Sequence, residues 1–176
     1  AETISQAPTD QTHTISNNLT VTAGTWNTSA TNLTVAGATS VTGTLTCNAY
    51  YVVLSSLTTA AAGIVNGNTA PISLTGAWDT SAAVGCWVCN TSTVTFKAGA
   101  AQTVTAAAHN FYNIATATAS TAVTQGSAIT AAGTFTIATG SWTTSGTNYG
   151  LTVTGATSVT GTLTCNASTV ALSALT

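Results

Sequence analysis

Four cysteines, two histidines, three acidic residues and a single lysine are, hydroxyl groups aside, the side chains in this sequence that do acid–base, nucleophilic or metal chemistry. Cys86 and Cys89 form a Cys-x-x-Cys pair, a spacing shared by redox centres and by one half of a zinc site. A zinc ribbon needs a second such pair or two closely spaced histidines, and Cys47 and Cys165 each stand alone. A thioredoxin-type pair needs a βαβ setting, which the sequence does not offer. Cys47, Cys86, Cys89 and Cys165 are therefore read as disulfide candidates or as small buried hydrophobes, with the connectivity open.

His109 has no acidic neighbour in sequence, and Asp10, close to His13, sits in a polar leader. Triads are recognised by geometry and not by spacing, but Glu2, Asp10 and Asp79 are the only carboxylates, and no nucleophile motif accompanies them. β-Helical polysaccharide lyases and hydrolases depend on clustered acids or bases. The expectation is a protein that is not an enzyme, with no catalytic, metal-binding or cofactor-binding residue and no cofactor. Asp79 reads most simply as a turn residue.

The elements that would have to position any site are written in an unusual composition. Charged residues make up 2% of the 176, against about 25% in a typical soluble domain. Roughly a quarter of the chain is Thr, and Ala, Ser, Gly and Asn fill much of the rest. Disorder usually comes with high net charge and few β-branched residues. Here Thr, Val and Ile recur in short alternating runs that suit a pleated, half-buried surface. One lysine and no arginine argue against nucleic acid and anionic lipid as partners. No apolar run approaches the length of a membrane helix. A net charge of −2 gives little colloidal repulsion, which favours self-association.

Internal repetition organises the chain. Gly37–Ala49 (GATSVTGTLTCNA) returns unchanged at Gly155–Ala167. Upstream, LTVTAGTWNTS from Leu19 matches FTIATGSWTTS from Phe135 in pattern. The offset is 142 − 26 = 116 at the tryptophans and 165 − 47 = 118 at the cysteines, so the later copy has gained two residues, most simply Tyr149 and Gly150. A degenerate third copy lies between. G-x-W-x-T-S occurs around Trp26, Trp78 and Trp142, and C-N-x-x-x-V follows each time from Cys47, Cys89 and Cys165. The repeats lie near 19–54, 72–96 and 135–172, within one β domain spanning 14–176 that follows a leader at 1–13. The start, AETISQAP, is read as that of a mature chain from which a secretion signal has been removed.

Short strands separated by Gly- and Asn-rich turns, with no sustained 3.6-residue apolar pattern, predict an all-β fold. Imperfect repetition favours a right-handed parallel β-solenoid, whose rungs present like slots to one another. The alternative is a pilin-like β-sandwich with terminal strand exchange. In the solenoid, Trp26, Trp78 and Trp142 would form one ladder and Asn48, Asn90 and Asn166 another. Equivalent placement of Cys47, Cys89 and Cys165 would allow pairing across rungs or across subunits.

Runs such as GTWNTS, NLTVAGATSVTGTLTCNA and STVTFKAGAAQTVTAAAHNFYNI resemble the repeats of large secreted bacterial surface proteins of the β-helix adhesin and autotransporter-passenger type. The resemblance is one of repeat style over most of residues 14–172. It implies a parallel β-helix, secretion and a surface or fibre role. Together these readings point to a structural subunit of an extracellular filament or surface layer, assembling with itself head to tail by β-strand addition. The alternatives are an adhesin, an ice-binding solenoid displaying hydroxyl rows such as Thr44-Leu-Thr46 and Thr152-Val-Thr154, or a carbohydrate-binding face that uses the tryptophans. Asn18, Asn27, Asn32, Asn90 and Asn166 each begin an Asn-x-Ser/Thr sequon, making glycans possible partners.

Overall fold

In a computed structural model of the chain, which describes residues 12–28, 31–97, 100–107 and 110–176, every regular element is a β-strand. All the strand pairings are parallel. The architecture is the expected β-solenoid, of about 8 turns.

Each turn visits three sides in order. The first side stacks β1 (His13–Ile15), the start of β4 (Leu33–Val41), the start of β6 (Val52–Thr59), β8 (Pro71–Leu74), β11 (Thr93–Phe96), β14 (Asn113–Thr116), β17 (Phe135–Ile137) and the end of β19 (Leu151–Val159). The second stacks β2 (Leu19–Val21), the ends of β4 and β6, β9 (Trp78–Thr80), β12 (Ala101–Ala106), β15 (Ala122–Gln125), β18 (Ser141–Thr143) and β20 (Thr162–Thr164). The third has two blocks. β3 (Thr25–Asn27), β5 (Thr44–Thr46), β7 (Ile64–Asn66) and β10 (Trp87–Val88) form one four-stranded sheet. β13 (Asn110–Phe111), β16 (Ile129–Ala131), the start of β19 and the start of β21 (Val170–Leu175) form the other.

Down the first side, successive partners such as Leu33–Val52, Val52–Ile72 and Ile72–Val94 are 19, 20 and 22 residues apart. A turn therefore takes about twenty residues. β4, β6 and β19 each run round a corner, and in β4 and β19 a register shift marks the bend.

Alternation drives this arrangement. In β11, Val94 and Phe96 are buried while Thr93 and Thr95 are partly exposed, and the same two-residue rhythm recurs along the stack. One inward residue or two on each side of a turn fill a single narrow core dominated by Leu, Val, Ile, Phe and Trp. Its aromatics gather in two groups. Trp78 meets Trp87 edge-on at 4.8 Å and Phe111 at 5.4 Å; Trp142 meets Phe135 at 5.1 Å and Phe96 at 5.8 Å. At the corners, Asn68, Asn90 and Asn166 adopt positive φ, a conformation asparagine tolerates better than most side chains.

Some inward slots hold threonine. Thr39 and Thr157 are buried, and their hydroxyl groups have no hydrogen-bond partner. A buried unsatisfied hydroxyl carries its desolvation cost unrelieved. Thr39→Val and Thr157→Val, which keep the β-branched shape, are each expected to raise stability by about 1 kcal/mol. A higher urea midpoint at unchanged m-value is the expected reading; a lower midpoint would show that the hydroxyl is satisfied.

Candidate interaction surfaces

None of the four cysteines is paired within the chain, and of the two readings, disulfide candidate or small buried hydrophobe, the burial of Cys47 and Cys86 fits the second. Asn66 of β7 pairs with Thr46 of β5 on one side and with Val88 of β10 on the other. Cys47 and Cys89, which follow those outer strands, are thus two rungs apart, about 9.6 Å and beyond disulfide reach. Cys165 follows β20 on the second side, near the far end of the stack. The Cys86 Sγ lies 3.5 Å from the Ala60 carbonyl oxygen.

Burial pushes the Cys47 thiol up to about 12 from its usual 9.0. Cys89 is also raised, by burial first, against a lowering backbone hydrogen bond. Between pH 9 and about 12 the unfolded chain has lost the Cys47 proton while the folded chain keeps it. The unfolded state then binds fewer protons, so stability is full below pH 9 and declines above it. The decline from Cys47 is at most about 1.4 kcal/mol per pH unit. Cys47→Ala is expected to flatten the slope of stability against pH above 9; equal slopes in variant and parent would count against this burial effect.

The tryptophans do not form one ladder, a second correction. Trp26 lies on the third side, in register with Leu45, whereas Trp78 and Trp142 lie on the second. Trp78 is flanked by Leu57 and Val104, and Trp142 by Val123 and Leu163. An asparagine ladder does exist, with partly different members. Asn48 Nδ2 donates to Asn27 Oδ1, Asn68 Nδ2 to Asn48 Oδ1 at 3.3 Å, and Asn90 Nδ2 to Asn68 Oδ1 at 3.2 Å. Asn166 stands apart and donates to the Ser145 carbonyl. The order of the motifs along the chain pointed to Asn48 and Asn90; Asn27 and Asn68 were missed because they lie outside the Cys-Asn motif.

The other candidates are placed as follows. Asn18 and Asn32 accept backbone N–H bonds from Ala38 and Tyr51 through their side-chain oxygens. Asp79 in β9 accepts from the Ser81 N–H at 3.0 Å and hydroxyl at 2.6 Å, the turn role expected of it. His13 is half-buried in β1. His109, Asp10 and Glu2 lie outside the described residues, as does the leader through residue 11. Among the described residues no three of His, Cys, Asp and Glu gather into a group able to hold a metal ion, and no helix is long and apolar enough to cross a membrane.

What the structure adds is a comparison that the chain makes with itself. Residues 151–176 repeat 33–58 at a constant offset of 118, with 21 of 26 positions identical; the differences are Ala36/Thr154, Tyr50/Ser168, Tyr51/Thr169, Val53/Ala171 and Ser56/Ala174. In the first copy, β7 covers β5, while β8 and β9 cover β6. In the second, β20 pairs with β18 and β21 with β19, and no further strand follows among the described residues. The consequence is visible at matched residues. Leu45, Val52 and Leu54 are buried, whereas Leu163, Val170 and Leu172 are half-buried. Leu57 is 0% exposed and its counterpart Leu175 is 63% exposed. Thus the last rung displays an apolar row and a strand edge built like those that other rungs cover. At the opposite end, β1, β2 and β3 carry the half-buried Ile15, Leu19 and Trp26 against the same core.

Comparison of the chain with protein-family models, with curated proteins and with solved structures found no match.

Proposed function

We propose that this protein is a non-catalytic, extracellular structural subunit that assembles with copies of itself, rung upon rung, into a filament or layer. The observation that carries the reading is the pair of near-identical 26-residue segments: one rung sequence stacks on its neighbours at two places in the same chain, so it is built to stack on its own kind. Leu163, Val170 and Leu172 point into the same core as their counterparts Leu45, Val52 and Leu54, so a covering rung would complete their burial. Strand addition in this reading sets a further parallel strand beside β20 and β21, as each rung of the stack is set beside the one before it. That strand comes from the β1–β3 rung of the next copy, with Ile15, Leu19 and Trp26 as the matching inward row. Such a contact joins unlike surfaces and does not close on itself, so it propagates. Near absence of charge removes the repulsion that would oppose it, and the extracellular placement rests on the resemblance of the repeats to those of secreted surface proteins.

Electron microscopy of the native protein tests this, together with the double variant Leu163→Lys/Leu172→Lys. Filaments with an axial repeat of one subunit, lost in a variant that keeps its β circular dichroism, are expected. A monodisperse monomer across the accessible concentration range would overturn the reading.

One observation favours a second reading, adsorption to an ordered surface such as ice. Thr103, Thr124, Thr143 and Thr164 stand in one outward column on successive rungs of the second side, spaced about 4.8 Å apart. Thermal hysteresis in solution would support it; freezing behaviour identical to that of an inert protein would remove it.

A further inference from the structure

The differences between the two 26-residue copies fall in a pattern that the core does not explain. None of the inward residues Leu33, Val35, Val41, Leu45, Val52 and Leu54 changes at its counterpart 118 positions on. Three of the five differences instead set Tyr50, Tyr51 and Val53 against Ser168, Thr169 and Ala171. Tyr50, Tyr51 and Val53 are exposed large hydrophobic residues, Tyr51 at 64%. The same rung design thus exists in a plain form and in a form that puts two aromatic rings and an isopropyl group into water. Exposed apolar clusters on an otherwise well-packed chain mark interaction sites.

The surroundings define what would bind there. Tyr51 is held on both sides by the preceding rung: its N–H donates to Asn32 Oδ1 at 3.1 Å, and its carbonyl accepts from the Leu33 N–H at 2.9 Å. The ring therefore rides on a fixed backbone, which lowers the ordering cost of binding. A third exposed tyrosine, Tyr112, precedes β14, whereas Tyr50 precedes β6. The steps from β6 to β8, β11 and β14 place it three rungs further along the same corner, about 14 Å along the stack. Gly133 lies against that ring, since a Cβ there would come 3.1 Å from Tyr112 Cδ1.

Among the described residues the only Asp, Glu, Lys or Arg side chains are Asp79 in β9 and Lys97 just after β11, and neither is on this corner. A charged peptide, a nucleic acid or an anionic lipid would find no counter-charge there. A neutral polysaccharide suits the patch. The apolar C–H faces of sugar rings lie on flat aromatic rings, and their hydroxyl groups bond to phenol, amide and threonine groups. Rings three rungs apart suit an extended chain and not a single sugar.

We propose that the corner carrying Tyr50, Tyr51 and Tyr112 is a binding site for a neutral polysaccharide chain. The site is independent of end-to-end assembly, since it lies on the side of the stack and not at its last rung.

The protein supplies its own control. Tyr50→Ser/Tyr51→Thr gives the internal corner the residues that the second copy carries at a corner one side round the same core, so the variant is expected to fold. Parent and variant would be equilibrated with insoluble cellulose, chitin and β-1,3-glucan, and the unbound protein measured. The parent should be depleted by at least one of the three. The double variant should lose about tenfold or more in partition constant, as for removal of an aromatic anchor, with unchanged circular dichroism and melting temperature. Tyr112→Ser should give a smaller loss on the same polysaccharide. Failure of the parent to bind any of the three, or equal binding by parent and variant, would overturn the proposal. A variant that alters sedimentation but not polysaccharide uptake would assign the corner to a second copy instead, and would overturn it too.

Discussion

Trp142→Ala is expected to cost about 4 kcal/mol of stability, the range for removing a large aromatic side chain from a packed core. Trp142 is 0% exposed and meets Phe135 and Phe96 edge-on. Its indole N–H donates to Gln125 Oε1 at 2.8 Å, and the Gln125 amide in turn donates to the carbonyls of Ser127 and Gly150. Truncation therefore does two things at once. It opens a cavity between two phenylalanines, and it strands the oxygen of a buried amide whose other end is still engaged. The three groups act as one network, so the loss should exceed that from Gln125→Leu, which removes the amide but leaves the indole. Trp26→Ala provides the contrast, because Trp26 is half-buried on the first rung and should cost less than half as much. Urea titrations followed by far-ultraviolet circular dichroism would measure all three. A loss below about 1 kcal/mol for Trp142→Ala would mean that the rungs collapse freely onto the vacated space.

Gly155→Ala is expected to cost about 3 kcal/mol, at the upper end of overpacking losses. A Cβ at this position would come 2.0 Å from the carbonyl oxygen of Gly133 on the preceding rung. The clash is with backbone, so no side chain can swing away to relieve it. Its counterpart in the first copy, Gly37, is equally confined, at 2.6 Å from the Asn17 carbonyl carbon. Both glycines sit inside a long strand that turns a corner, in β19 and β4, with the backbone of the preceding rung against them. Repetition of glycine in the two copies thus has a steric cause. Gly146→Ala is the matched control: a Cβ there would meet nothing within 4 Å. It should be neutral or slightly stabilising, through the less flexible unfolded chain. Melting curves that fail to separate the two variants would show that the corner can open.

The rotation of the repeat explains why the sequence foretold some of this and not the rest. Along the first side, six rungs separate Leu33 from Thr157, or 157 − 33 = 124 residues. The repeat offset is 118, short by about one side. Leu33-Thr-Val35 accordingly stands on the first side and Leu151-Thr-Val153 on the third, and every later element of the second copy is displaced likewise. This is why Trp26 and Trp142 face the core from different sides. The three sides offer nearly the same inward slot, so one sequence serves on any of them.

Composition and alternation by themselves determined the all-β class and the Gly- and Asn-rich turns, and repetition favoured parallel stacking over the sandwich. The class and the turns follow from local chemistry: β-branched residues every second position, with glycine and asparagine between the runs, all readable within a few residues. Tertiary structure alone decided the phase. Which side a repeat occupies is the running sum of every corner and loop before it, including the longer excursions before β10 and β19. No single motif encodes that sum. The contacts among Trp78, Trp87 and Phe111 and the exposure of Tyr50 and Tyr51 depend on it.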